Sequence, residues 1–246
     1  MVWLLLYCLL VGLTLDGTHP YHGDEGYYIK CGVGMIKAGT LLVPQYDGMI
    51  RLQKPILTYW LVALGYRVFG ISLWAGRLPF LLVAAALLFL VHRLALLIFR
   101  DREAARLAAV LLSSSMLFLL FSRVSMTDLP LAMFSTTALY FFCRGLLVPN
   151  HSQRDVTFAY LSMGAGFLAK GALALTPLAA VAAYLALART DGTRMSLRSL
   201  LAPRHLLAFA SVALPWYAYV SLAYPTLLRT QFRQEVADNL GPAPTV

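Results

Sequence analysis

The stretch LLVAAALLFLV at residues 81–91 decides the class of fold, because every residue in it is apolar. Two comparable runs follow, LAAVLLSSSMLFLLF at 107–121 and ALALTPLAAVAAYLALA at 172–188. A helix that crosses a bilayer needs about 20 mainly apolar residues, whereas a helix of a soluble bundle carries charges along its solvent face. These runs therefore predict membrane-spanning helices.

The composition of the whole chain agrees with insertion into a membrane. Of its 246 residues, 60% are hydrophobic and 13% are charged, and the mean hydropathy is +0.71; soluble domains are about 25% charged. The net charge of +9 comes without a basic tract interleaved with aromatic residues, so we predict no nucleic-acid partner. The three cysteines form no C-x-x-C pair, which supports neither a zinc site nor a disulfide framework.

The alternation of apolar and charged segments predicts an all-α, polytopic bundle of about seven transmembrane helices, in one membrane domain over residues 1–246. The first run could also be a signal peptide, but it lacks a charged leading region and a small-residue cleavage site, which favours a helix. The predicted spans lie near residues 2–15, 74–91, 105–122, 129–148, 156–169, 172–188 and 205–223.

Three arginine-bearing loops predict the orientation of these spans. They are the segments 92–106, 144–155 and 189–204. They share one side of the membrane if the predicted spans are right, and the positive-inside rule makes that side cytoplasmic. The segments expected on the opposite, outer side are 16–73, 123–128, the turn at 170 and 224–246.

The outer loop over about 16–54 is the longest polar segment. Within it, 26–39 is typical of an amphipathic helix lying on the membrane, and 40–48 is typical of a turn. The following segment 55–69 is helix-like but contains Arg67. We interpret it as an interfacial helix; it could instead begin a long bent span that includes 74–91.

Ionisable residues beside membrane spans are candidate functional groups. Asp24 and Glu25 follow the first span, where a carboxylate could act as a general base or bind a cation, or could simply cap a helix. Lys54 precedes a proline that opens an apolar helix, where it could hold a phosphate or only snorkel to the membrane surface.

Two further candidates lie at other span ends. Asp128 begins a span and could be a helix cap, with Pro130 in the first turn. Lys170 separates two apolar runs and could be a helix-end lysine followed by a glycine cap. The arginine loops place all four sites on the outer face, a set that suits a phosphate-bearing donor and an acceptor that must lose a proton.

At these residues the chain resembles the membrane glycosyltransferases of the GT-C fold, in the group of the protein O-mannosyltransferases and the bacterial aminoarabinose transferases that modify lipid A. The similarity covers nearly the whole chain and follows the family's order. The matching pieces are Asp24-Glu25-Gly26-Tyr27-Tyr28, Gln53-Lys54-Pro55-Ile56, Tyr59-Trp60, Arg77-Leu78-Pro79, Thr127-Asp128-Leu129-Pro130, Ala169-Lys170-Gly171 and Leu214-Pro215-Trp216.

The resemblance implies roles for these positions. The donor would be a hexose or pentose on a polyprenyl phosphate, undecaprenyl in bacteria, and the acceptor a lipid or a protein at the periplasmic face of the inner membrane. Asp24 would be the catalytic base, with Asp128 in the same cavity. Lys54 and Lys170 would bind the phosphate. Glu25 and Tyr27 are candidate substrate-binding residues, with Glu25 more structural than catalytic.

Two departures bear on specificity. The aminoarabinose transferases have an acid where Gln53 stands and an arginine where Tyr27 stands. The first difference removes a metal ligand, so a divalent cation is one option and no metal is assigned. The second removes a phosphate contact, and together the two differences argue against specificity for lipid A. Family members are also longer, so we expect the chain to match their N-terminal part. The alternatives are a transporter or flippase of a lipid-linked anion, which would place its polar groups near the midplane, and a shortened, inactive family member.

Overall fold

The computed structural model describes residues 2–17, 24–148, 152–187, 195–227 and 229–231. Helices dominate these residues, with one short β-hairpin of strands β1 (Gln45–Tyr46) and β2 (Met49–Ile50). The helices are α1 (Val2–Gly12), α2 (Asp24–Ala38), α3 (Leu57–Phe69), α4 (Leu73–Phe99), α5 (Arg102–Ser114), α6 (Met116–Phe121), α7 (Asp128–Leu147), α8 (Ser152–Lys170), α9 (Thr176–Leu187), α10 (Leu197–Leu200) and α11 (Pro203–Ala223).

The helical membrane class is confirmed. Among the described residues, four helical stretches are long and apolar enough to cross a bilayer, and α1 is a shorter apolar helix. The four stretches are Leu73–Phe99, Asp128–Leu147, Gln153–Leu187 and Leu197–Ala223. The count of seven spans stays a prediction.

The predicted span 105–122 is wrong as a single helix. Ser115 has an extended backbone between α5 and α6, and its hydroxyl accepts a hydrogen bond from the backbone nitrogen of Phe118. A serine that caps a new helix in this way competes with continuation of the preceding one. The chain therefore bends at Ser115 within an otherwise apolar run.

The segment 55–69 forms its own helix, α3, as the interfacial interpretation requires. Gly70 ends it with φ of 81°, and the Ser72 side chain caps α4 by accepting a bond from Ala75 N. The alternative of one long bent span is therefore wrong. The two helices pack very closely, since a Cβ on Gly65 would lie 1.9 Å from the carbonyl oxygen of Ala75.

The long stretch 153–187 contains a reversal of the chain. Gly171, with φ of 62°, follows α8 and opens a 3₁₀ turn (Gly171–Leu175) before α9. Val181 of α9 then shares a core cluster with Phe142 of α7 and Tyr160 of α8. The predicted separation into two apolar segments near Lys170 is confirmed.

The predicted helix within the segment 16–54 is present as α2, and its buried face, which includes Tyr28, Cys31 and Met35, packs into the protein core. Its predicted position on the membrane surface stays a prediction. The predicted turn is a two-residue hairpin at Asp47 and Gly48, both with positive φ, as tight hairpins require. Two tryptophans hold the chain between α2 and β1. The indole nitrogens of Trp60 and Trp216 donate to the carbonyls of Leu41 (2.6 Å) and Leu42 (2.9 Å).

Candidate active site

A buried polar network is centred on the carboxylate of Glu25, in the first turn of α2. Nε and Nη2 of Arg77, on α4, each donate to one of its oxygens at 2.7 Å. Both side chains have no exposed surface. Such a bidentate pair satisfies the charge and the geometry of both groups, which is what makes two ions tolerable in a buried position.

Glu25 and Arg77 also tie other segments together. Nη1 of Arg77 donates to the carbonyl of Leu15, just after α1, at 2.6 Å. The backbone nitrogen of Ser125 donates to Glu25 at 3.0 Å, and the Ser125 hydroxyl donates to the carbonyl of Gly76 at 3.2 Å. The pair thus joins α1, α2, α4 and the segment before α7.

This network changes the role expected for Glu25. The sequence predicts it as a substrate-binding residue, but the side chain is enclosed and its carboxylate bonds to Arg77 and Ser125. The sequence places its partner Arg77 in a motif with Leu78 and Pro79 but predicts no role for it. The one signal that could have revealed it is an arginine inside an apolar helix, which needs an acid.

A second ion pair lies at the start of α7 and the end of α8. The ammonium of Lys170 donates to the carboxylate of Asp128 at 2.6 Å, and the two side chains are 32% and 38% exposed. Two residues that the sequence predicts on the same face are therefore in direct contact. Unlike Glu25 and Arg77, both remain open to a ligand.

Asp24 lies next to this region because α2 starts beside the segment that leads into α7. The Asp24 side chain is exposed. Burial raises the pKa of the neighbouring Tyr28 hydroxyl, and the Tyr59 hydroxyl and the negative charge of Asp24 raise it further. A hydrogen bond to Thr127, one position before Asp128, acts in the opposite direction. Asp24, Tyr28 and Thr127 therefore form one neighbourhood.

Arg51 is a residue that the sequence analysis did not single out. Its guanidinium lies 3.8 Å from the centre of the Tyr27 ring, a cation–π contact. Its Nε atom is buried, with no hydrogen-bond partner in the part of the chain described. Lys54, partly buried, follows three positions later. A basic pair just before Pro55 was visible in the sequence, but nothing there placed Arg51 on Tyr27.

An apolar cavity of about 220 Å³ includes Asp128 in its lining. Its walls come from α4, the end of α5, the bend at Ser115, α6 and α7, and they include Leu87, Phe118 and Leu129. A cavity with apolar walls and one acidic residue that is paired with a lysine suits an amphiphile with a charged head group.

No three His, Cys, Asp or Glu side chains come together among the described residues in a way that could hold a metal ion. Gln53 contributes an amide where a carboxylate would be a stronger ligand for a hard cation.

The family described as dolichyl-phosphate-mannose-protein mannosyltransferase matches residues 53–219. The chain belongs to this family. The match begins at Gln53 and ends after Trp216, so it includes Lys54, Arg77, Asp128 and Lys170, and it confirms the resemblance inferred from the ordered motifs.

The chain is similar to the undecaprenyl phosphate-alpha-4-amino-4-deoxy-L-arabinose arabinosyl transferase 1 of Proteus mirabilis (strain HI4320). The two are 28% identical over an alignment of 232 positions, which covers 91% of this chain and 41% of the relative. The chain thus spans less than half the length of that relative.

Solved structures of ArnT from Cupriavidus metallidurans share the fold. The apo form has a TM-score of 0.83 and 22% identity, and the alignment covers 94% of this chain and 43% of ArnT. The form bound to undecaprenyl phosphate has a TM-score of 0.81 and 21% identity, with coverage of 96% and 44%. The predicted GT-C type of membrane fold is confirmed.

Proposed function

We propose that this chain provides the donor-binding and catalytic centre of a membrane glycosyltransferase that moves a sugar from a polyprenyl phosphate to a lipid or protein acceptor. The observation that carries the proposal is the convergence of helix ends around the two ion pairs. It brings Asp24, Asp128 and Lys170 to one region beside an apolar cavity. Family membership and the undecaprenyl-phosphate sugar in the name of the Proteus relative support the same class of donor.

The donor would bind with its head group among the basic residues. Lys170 is partly exposed beside Asp128, and Arg51 and Lys54 lie at the start of the segment that leads into α3. Cations that face a phosphate form charge-assisted hydrogen bonds with its oxygens. The polyprenyl chain would follow the apolar wall that contains Leu87 and Phe118.

The transfer would be a single displacement with inversion at the anomeric carbon. Asp24 takes the proton of the acceptor hydroxyl, and the hydroxyl oxygen attacks the anomeric carbon from the face opposite the phosphate. The bond from that carbon to the phosphate oxygen breaks, and the polyprenyl phosphate leaves with the electron pair. Lys54, Lys170 and Arg51 would stabilise the charge that develops on the leaving phosphate.

The remaining site residues would position these groups. Asp128 would hold the ammonium of Lys170 at the cavity edge through their 2.6 Å contact. Glu25 would act structurally, by anchoring the first turn of α2 to Arg77 and so placing Asp24. The Tyr27 ring would support Arg51. These roles replace the direct substrate contacts predicted for Glu25 and Tyr27.

The active face would be periplasmic and the membrane the bacterial inner membrane. The charge at the opposite helix ends supports this orientation, since residues 92–106 contain four arginines. Arginines and lysines accumulate in cytoplasmic loops.

The test is mass spectrometry of envelope glycolipids and glycoproteins from cells with the gene deleted and then restored. The wild-type gene should restore a sugar-modified species, and Asp24→Asn should reduce it about 100-fold or more, as loss of a general base does. The matched control is Asp47→Asn, an exposed acid of the same loop, which should behave as wild type. Full restoration by Asp24→Asn would exclude the assigned base.

A second measurement separates the transferase from a flippase. Sealed vesicles with the purified protein and radiolabelled undecaprenyl-phosphate sugar should show label transferred to acceptor. Movement of label across the bilayer without transfer would support the flippase. Neither movement nor transfer, with donor still bound, would support an inactive family member.

A further inference from the structure

A second cavity lies at the other end of the bundle. It has a volume of about 500 Å³ and is walled by the start of α1, the second half of α4 and the middle of α5. Its lining residues are Trp3, Leu4, Phe89, His92, Arg93, Leu96, Arg106 and Val110. Fifteen positions separate Arg77 from His92 on α4, which is about 22 Å along a helix, so the cavity is remote from the candidate active site.

The lining of this cavity has an apolar part and a basic part. Trp3, Leu4, Leu96 and neighbouring apolar residues form most of the wall, and Phe89 and Val110 are 53% and 44% exposed. Both side chains therefore keep much apolar surface unburied by the protein, which an apolar ligand in the cavity could cover. An acyl chain is such a ligand.

The basic part has a charge that the described contacts do not neutralise. Arg93 contacts neutral groups in the described part of the chain, the Tyr140 hydroxyl at 3.4 Å and the Phe89 ring at 6.0 Å. Arg106 is paired with Glu103 at 2.6 Å, so its charge is shared. His92 lies beside Arg93 on the same wall. An anionic group in the cavity could therefore pair with Arg93, whose positive charge the described contacts leave unneutralised, and with Arg106 in the same lining.

We propose that this cavity binds an anionic phospholipid, with the phosphate at Arg93 and Arg106 and one acyl chain against Trp3, Phe89 and Leu96. Basic pockets between transmembrane helices recognise anionic head groups, and here the apolar wall continues directly from the basic rim. In the orientation proposed above, the lipid belongs to the cytoplasmic leaflet, whereas the polyprenyl donor binds at the opposite face.

The proposal is tested by fluorescence of Trp3, which lies in the wall of the cavity. Purified protein is reconstituted in vesicles of brominated phosphatidylglycerol or brominated phosphatidylcholine, whose bromines quench nearby tryptophans. Subtraction of the signal of Trp3→Phe isolates the Trp3 emission. In mixed vesicles, we expect phosphatidylglycerol to be preferred by about ten-fold.

Two matched double variants locate the preference. Arg93→Gln with Arg106→Gln should make the two lipids equivalent. Arg100→Gln with Arg102→Gln removes the same charge from the same loop outside the cavity lining and should keep the preference. Equal quenching by both lipids in the wild type, an equal loss in the two double variants, or displacement of the lipid by inorganic phosphate at physiological ionic strength would overturn the proposal.

Discussion

The two ion pairs near the starts of α2 and α7 both join a carboxylate to a cationic side chain, but one pair is buried and the other is partly exposed. Glu25 and Arg77 meet at 2.7 Å with no exposed surface, whereas Asp128 and Lys170 meet at 2.6 Å with about a third of each side chain exposed. A buried pair costs much to desolvate and is strongly destabilising when one partner is lost. An exposed pair contributes little to stability. The difference assigns the first pair to architecture and leaves the second available to a ligand.

The adjacent residues Asp24 and Glu25 show the same contrast in burial within one turn of helix. Asp24 is exposed and Glu25 is enclosed, although they are neighbours in the chain. The fixed position of Glu25 determines where Asp24 can be. In the proposed mechanism, Glu25 would position the base Asp24 without contacting the substrate.

The largest effect should follow from breaking the buried pair. Arg77→Met leaves the Glu25 carboxylate buried without its partner and should lower the free energy of unfolding by about 3–5 kcal/mol, measured by denaturant unfolding in detergent. Glu25→Gln combined with Arg77→Met removes the lone charge and should recover part of the loss. Arg67→Met, an exposed arginine at the end of α3, is the control. An equal effect of Arg77→Met and Arg67→Met would contradict the architectural role.

Loss of the exposed pair should affect ligand binding more than stability. Lys170→Ala should weaken binding of undecaprenyl phosphate by about 10-fold or more, because one charge-assisted hydrogen bond is lost, and should change the free energy of unfolding by about 1 kcal/mol or less. Binding can be followed by a radiolabelled-lipid assay, with Lys37→Ala in the exposed last turn of α2 as control. Unchanged binding would remove Lys170 from the donor site.

A rise in salt concentration should affect the two ion pairs differently, so it distinguishes them without a mutation of the exposed pair. Between 0.15 M and 1 M salt the Debye length falls from about 8 Å to about 3 Å. Binding of undecaprenyl phosphate should weaken several-fold, because the partly exposed Lys170 is screened. The loss of stability on Arg77→Met should persist in high salt, since buried charges are screened much less. A loss that disappears in 1 M salt would show that this pair is accessible to solvent.

The smallest effect should follow from removal of the Tyr27 ring, which contacts the guanidinium of Arg51. Tyr27→Leu keeps an apolar side chain but removes the ring under the guanidinium, so undecaprenyl phosphate should bind about 2- to 5-fold more weakly, in line with a modest cation–π contact. Arg51→Gln should weaken binding more than Tyr27→Leu does. The reverse order would mean that Tyr27 acts on the donor by itself.

Much of the fold could be predicted because it depends on local pattern. The apolar runs, the amphipathic helix after Asp24 and the turn at Asp47 and Gly48 all follow from residues close together in the chain. The break at Ser115 was missed because the run around it remains apolar on both sides. Hydropathy measures transfer into the membrane and is insensitive to a local change of backbone direction.

The candidate site could be predicted only as a set of residues on one face. Asp24, Lys54, Asp128 and Lys170 each had an alternative as a helix cap or a snorkelling side chain, and nothing local distinguishes these roles. Asp128 and Lys170 do lie at helix ends, although Thr127 and not Asp128 occupies the N-cap position of α7, and their side chains bond to each other. A single stretch of sequence could not reveal that contact.

The sequence by itself determined that this is a helical membrane protein with a long polar segment after its first apolar run and with acids and lysines at the ends of its apolar helices. It did so because burial in lipid depends on the composition of consecutive residues. Only the tertiary structure decided that Glu25 meets Arg77 and that Asp128 meets Lys170, 52 and 42 positions apart. Such pairings depend on how helices pack across the bundle. That packing decides which charge is enclosed and which can meet a substrate.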